Sequence, residues 1–365
     1  MTYKENLFFI AQCLTVNFEK KNKKEVLLKL QNEKINWDEI TKISTNHLVF
    51  SALYCNLKKV KFLKYVPKDL VIYMKYINNI NRERNNQIMI QAKEINELLL
   101  SNNITPIFLK GIANILEGLY DNISERMVGD IDFICSKNEF QRAVKLLLDN
   151  GYYSVSKENY RFPNEKHYPR LKKKNRIAAV EIHKELISEK YRNEFNYNLV
   201  HKNTLRLNNV NFLSYNHQAV ISITSDQIDD YGFYYKKLAL KNAYDVFLIS
   251  KRTDIKKTIS MYKNLKNPMN CFLACCFLVF GNINTLGYTK TKKAEKYLST
   301  FNYLISNDVI RKFRYLLKFI ELSVQKRMSI ILKSITSKEH RVWLIKRISD
   351  KNWQKNKLKQ IGLKK

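Results

Sequence analysis

Glycine and proline are scarce in this chain, 8 and 5 among 365 residues, and no glycine occurs before Gly111. So few turn formers exclude a fold rich in tight turns and fit a largely helical one. Paired cysteines are missing too. Cys13, Cys55, Cys135, Cys271, Cys275 and Cys276 show neither CxxC spacing nor histidine partners at metal spacing. This excludes a disulfide framework or a zinc module and fits free thiols in a reducing cytoplasm. Long apolar runs are also lacking. The longest, CFLACCFLVF at 271–280, is about half of what a bilayer needs, so no transmembrane segment is expected and the run reads as a buried helix. The start, MTYKENLFFIAQCL, carries Glu5 early and has no sustained apolar core, unlike a signal peptide. The last scarcity is acidic charge: 33 Asp+Glu face 65 Lys+Arg, a formal net charge of +32. Such a field attracts polyanions, with nucleic acid, nucleotide or an acidic membrane surface as the partners to weigh.

What is present supports a core of real size, since 45% of residues are hydrophobic and 12% aromatic. The expected class is α+β with helices dominating. Residues 1–100 repeat apolar positions at three- and four-residue spacing, in LFFIAQCL, LVFSALYCNL and MIQAKEINELLL, which predicts an N-terminal helical region. Asn36 or Asp38 caps one of its helices. From 101 to 204 strands alternate with helices. IFL is a short strand ending at Lys110-Gly111, DIDFIC follows as a second, YYSVS as a third, and RIAAVEIHKEL as a fourth. Between them, Ser136 and Glu139 form a capping box and Gly151 stops a helix. From 205 to 365 the pattern returns to helices and closes in a basic tail. Residues 290–365 carry 21 Lys+Arg against 5 Asp+Glu, half the net charge in a fifth of the chain. A stripe there, Val309, Phe313, Leu316, Leu317 and Ile320, calls for burial.

The candidate chemistry sits on the strands. Asp130 and Asp132, at i and i+2, point to one face, and like charges so close destabilise each other; a cation from outside the chain would relieve them. Asparagine at either position is therefore expected to hold or raise stability without metal. Hard oxygen ligands of this kind suit Mg²⁺. Glu181 adds a third carboxylate on a later strand, with His183 on the same face as a phosphate or acceptor contact. Three carboxylates on adjacent strands can hold two cations, aligning an attacking hydroxyl with a leaving pyrophosphate. LKGIANIL is a strand-loop-helix with one glycine, so it is not a P-loop. Arg126 has the charge and geometry to grip phosphate oxygens.

The series FLKG, Tyr120, Arg126, DIDF at 130–133 and VEIH at 180–183 resembles the uncharacterised bacterial nucleotidyltransferase family of the DNA polymerase beta-like superfamily. The resemblance extends to INWDEITKISTNHLVFSALYCNL and to LKNAYDVFLI with its embedded Asp245, roughly residues 30–250. It implies a small mixed-sheet nucleotidyltransferase core at 101–204, with Asp130, Asp132 and Glu181 as metal-binding catalytic carboxylates. Lys110, Gly111 and Arg126 would bind an NTP such as ATP. The wider superfamily usually has Gly-Gly or Gly-Ser where this chain has Lys110-Gly111, and Glu181 stands where an aspartate is usual. The implied activity is Mg²⁺-dependent transfer of a nucleoside monophosphate to an acceptor hydroxyl. The basic tail favours RNA, such as a tRNA end, as would suit a toxin or defence enzyme; protein and small-molecule acceptors stay open. The rival reading is a basic nucleic-acid-binding protein with an inactive core.

Overall fold

Before the first glycine the chain builds the helices Tyr3–Thr15, Lys20–Asn32, Trp37–Asn46, Phe50–Lys59 and Lys68–Leu100. Their apolar faces share one core, in which Phe9, Leu53 and Ile88 are fully buried. Local chemistry sets the ends. Thr2 and Glu5 form a capping box at the first helix, and Asn36 Oδ1 accepts the Glu39 N–H at 3.1 Å. The computed structural model describes residues 1–155, 162–163 and 165–360, without the side chains of 356–360. Residues 1–155 and 166–308 form one compact unit, and the chain from Val309 onward gathers with Phe162 into a second.

The first unit encloses a mixed sheet. Its strands are β1 (Ile107–Phe108), β2 (Asp130–Ile134), β3 (Tyr152–Ser154), β4 (Leu171–Lys173), β5 (Ala179–His183), β6 (Thr204–Leu207) and β7 (Val210–Leu213), in the order β3-β4-β5-β2-β1-β7-β6. This is an α+β fold, as the sequence leads one to expect. The expected third strand appears as β3, while Ser156 lies outside the described residues. Two strands, β2 and β5, run parallel at the centre with Asp132 opposite Glu181. Two parallel strands need a crossover. It includes the helix Phe140–Asp149, where Ser136 and Glu139 exchange hydrogen bonds of 3.3 and 3.0 Å and Gly151 adopts φ +81°.

The sheet does not end where the alternation of strands and helices does. Past 204 a hairpin, β6–β7, pairs its second strand in parallel with β1, matching Phe108 to Phe212. Its turn, Asn208-Asn209, has φ +49° and +61°, a left-handed pair that asparagine tolerates. Helices follow, among them Tyr215–Thr224, which runs into a π-helical turn at Ser225–Asp229, and Leu240–Ile249. CFLACCFLVF falls largely within the helix Lys266–Val279 with Cys271, Cys275 and Cys276 buried as free thiols. Among the described residues, no helix is long and apolar enough to cross a membrane.

The second unit departs from expectation. Its helix Asp308–Thr336 buries no residue, and the stripe expected to be covered stays exposed, Val309 at 81% and Phe313 at 61%. Its other helices are Lys338–Ser349 and Lys351–Gln360, and the Phe162 ring packs edge-on against His340 and Trp343.

Candidate active site

Strand alternation and the parallel register set Asp130, Asp132, Glu181 and His183 on one face of the sheet. Asp130, Asp132 and Glu181 open onto a cavity of about 480 Å³ whose other wall comes from the helices after residue 213, and His183 is fully buried behind them. Buried Asp132, Glu181 and His183 each offer a ligand atom, all within 4.8 Å of one another. Two carboxylates and an imidazole are donors that suit a divalent cation.

The cations that relieve the paired aspartates are supplied by the chain itself. Lys110 Nζ lies 2.6 Å from Asp132 Oδ1, 3.5 Å from His183 Nε2 and 4.0 Å from Glu181 Oε2. Arg170, just before β4, bridges the other two carboxylates, with Nε 2.6 Å from Glu181 Oε1 and Nη2 3.1 Å from Asp130 Oδ2. Burial works against the Asp132 carboxylate, but Lys110 and a 2.8 Å hydrogen bond from His183 overcome it and hold its pKa well below the carboxylate range. Burial also works to discharge Lys110, which its carboxylate neighbours outweigh, so its pKa is raised. For Asp130 burial prevails over Arg170 and the pKa is raised. His183 is driven down to about 4 by burial and then by Lys110, and is neutral.

The remaining residues named from sequence fall on the same cavity in other states. Gly111 belongs to the short helix Lys110–Leu116, and a Cβ there would lie 3.4 Å from Arg126 Cζ. Arg126 is buried and already committed. Its guanidinium grips Asp245 at 2.8–3.2 Å and donates to the Met127 carbonyl at 2.7 Å, while Tyr120 also donates to Asp245. The embedded Asp245 therefore neutralises Arg126 within the wall instead of leaving it free for a phosphate.

Sequence reasoning missed three lining cations, Arg84, Arg170 and Lys241. Arg170 lies in PRLKKKNR, where nothing separates one basic residue from its neighbours. Lys241 stands in the first turn of Leu240–Ile249 and, alone among the five lining cations of the described residues, has no hydrogen-bond or ion-pair partner. Arg84 donates to the Val128 and Gly129 carbonyls, and the other three are paired as above. Burial and then Arg126 lower the Lys241 pKa. An unpaired cation near a helix N-terminus is a position that an anion would stabilise.

The fold and the site thus define an α+β protein whose central parallel strands present a buried, metal-competent Asp–Glu–His cluster to a charged cavity. A family model described as "Uncharacterised nucleotidyltransferase" matches residues 33–280, and the chain belongs to that family. No curated protein and no solved structure matches the chain.

Proposed function

We propose that this chain transfers a nucleoside monophosphate from an NTP to an acceptor hydroxyl. The bond from the acceptor oxygen to the α-phosphorus forms, the α–β bridge breaks, and pyrophosphate leaves. The observation that carries the reading is the Asp132–Glu181–His183 cluster on the β2–β5 pair, within the span the family covers. Asp130, Asp132 and Glu181 would hold the metal, with His183 orienting Asp132 through its 2.8 Å hydrogen bond, and a set of carboxylate oxygens suits Mg²⁺. A bound divalent ion would polarise the phosphoryl group and neutralise developing charge.

The chain's own residues position and neutralise. Asp130, the most exposed of the three carboxylates at 23%, accepts the acceptor's proton. Lys241 meets the triphosphate across the cavity, and Arg126 with Gly111 forms the wall that Lys110 projects from. RNA, such as a tRNA end, is the acceptor favoured by the tail's charge.

The test incubates the protein with each α-labelled NTP, Mg²⁺ and total cell extract, and asks which macromolecule gains label as pyrophosphate appears. Transfer lost in Asp132→Asn supports the reading; no label with any NTP and extract fraction overturns it. Lys241→Met should weaken binding of a non-hydrolysable NTP about tenfold, a loss worth about 1.4 kcal/mol by calorimetry, with its melting temperature held.

A further inference from the structure

Two side-chain cations divide the carboxylate cluster between them, and they differ in how firmly they are held. The Lys110 ammonium sits among the groups that form the metal-competent cluster, within 4.0 Å of Asp132, Glu181 and His183 alike. Its side chain is only 25% exposed, and its backbone takes φ +56°, a conformation that costs a non-glycine residue. Arg170 instead spans Asp130 and Glu181 from the outer side, with its side chain 57% exposed and an open path to solvent. Asp132 Oδ1 takes both inner bonds, while Oδ2 takes no hydrogen bond among the described residues.

We propose that Lys110 permanently fills one of the two cation positions that a carboxylate set of this kind offers. The protein then takes up a single divalent ion, at the outer position of Asp130, Asp132 Oδ2 and Glu181, in exchange for Arg170. This inference rests on the nucleotidyl-transfer reading and fixes its metal count. Burial decides which cation yields. Displacing Lys110 would part a mostly shielded ammonium from Asp132 and Glu181 at once, whereas Arg170, already more than half exposed, swings into water at little cost. Charge agrees, since three carboxylates against one ammonium and one divalent ion come to neutrality. Lys110 is thereby a catalytic residue that does with a fixed charge what a second metal does elsewhere, and it explains why a lysine stands at a turn where a small residue would be the easier choice.

The experiment titrates the full-length protein with Mn²⁺ and counts bound ions by the loss of the free-ion electron paramagnetic signal. The native chain is expected to bind one Mn²⁺. Arg170→Ala, at an exposed site that does not endanger the fold, should bind one Mn²⁺ about five- to tenfold more tightly, because its competitor is gone. Lys110→Met should gain a second ion, and Asp132→Asn should lose affinity. Two ions in the native chain, or an affinity unchanged by Arg170→Ala, overturns the assignment while leaving nucleotidyl transfer standing. No ion bound by any form, together with absent label transfer, removes the reading beneath it as well. A melting curve of each variant separates lost binding from lost fold. If Lys110→Met unfolds, the native count and the Arg170→Ala affinity decide alone.

Discussion

Asp132 shows how a charge changes meaning once its neighbours are known. From sequence alone its proximity to Asp130 reads as repulsion, so asparagine should do no harm. In the fold the dominant neighbours of Asp132 are Lys110 at 2.6 Å, its side chain a quarter exposed, and the fully buried His183 at 2.8 Å. Asp132→Asn therefore takes the nearest counterion from a mostly shielded ammonium, leaving it Glu181 at 4.0 Å, and is expected to cost about 2–3 kcal/mol without metal. Asp130→Asn gives up only the exposed pairing with Arg170 and should cost under about 1 kcal/mol. Thermal melts of the metal-free variants check both; equal melting temperatures would refute the contrast. A second residue speaks through pH. Burial pushes the Glu125 carboxyl up to about 7, although Tyr244 donates to it at 3.1 Å. Between about 4.5 and 7 the folded chain keeps a proton that the unfolded chain has released, so this group's contribution to stability falls as pH rises through that window. Glu125→Gln should thus be more stabilising at pH 8 than at pH 5.5, by about 1–2 kcal/mol, in melts at the two values.

The strands that carry chemistry were legible because alternation in DIDF and VEIH is the signature of a strand with one polar face. The helices before residue 100 were legible from apolar spacing alone. What stayed hidden was hidden for physical reasons. The strand β4 is Leu-Lys-Lys, without an apolar period, and holds its place through pairing with β3 and β5. The hairpin β6–β7 did leave a signal that went unread, two asparagines between alternating segments, which is a left-handed two-residue turn. Arg170 and Lys241 reach the site only through tertiary placement, and no local pattern distinguishes them in a chain with 65 basic residues. The hairpin offers its own test. At Asn209, φ +61°, glycine adopts the same conformation more readily, so Asn209→Gly should raise stability by about 0.5–1 kcal/mol and Asn209→Ala should lower it. Chemical denaturation of both variants is the measurement.

At the scale of the whole molecule, charge and apolar surface are concentrated in the same place. The exposed helix Asp308–Thr336 and its successors hold much of the excess positive charge, and their apolar side chains face solvent. If the charge serves a polyanionic acceptor, replacing Lys346 and Lys355 with glutamate should weaken RNA binding and flatten its salt dependence by about 0.7 for each phosphate no longer neutralised. Fluorescence anisotropy across a salt series reads this, and an unchanged slope would mean that the tail's charge does not meet RNA. The parallel pairing of β1 with β7 matters differently, during synthesis. Phe108 leaves the ribosome about a hundred residues before Phe212, its partner in the register. At about 5–20 residues per second, that is about 5–20 s in which one edge of the nascent sheet stays open. Yield in a cell should therefore depend on what shields that edge while translation continues, and a pause before residue 212 should do more harm than one after it.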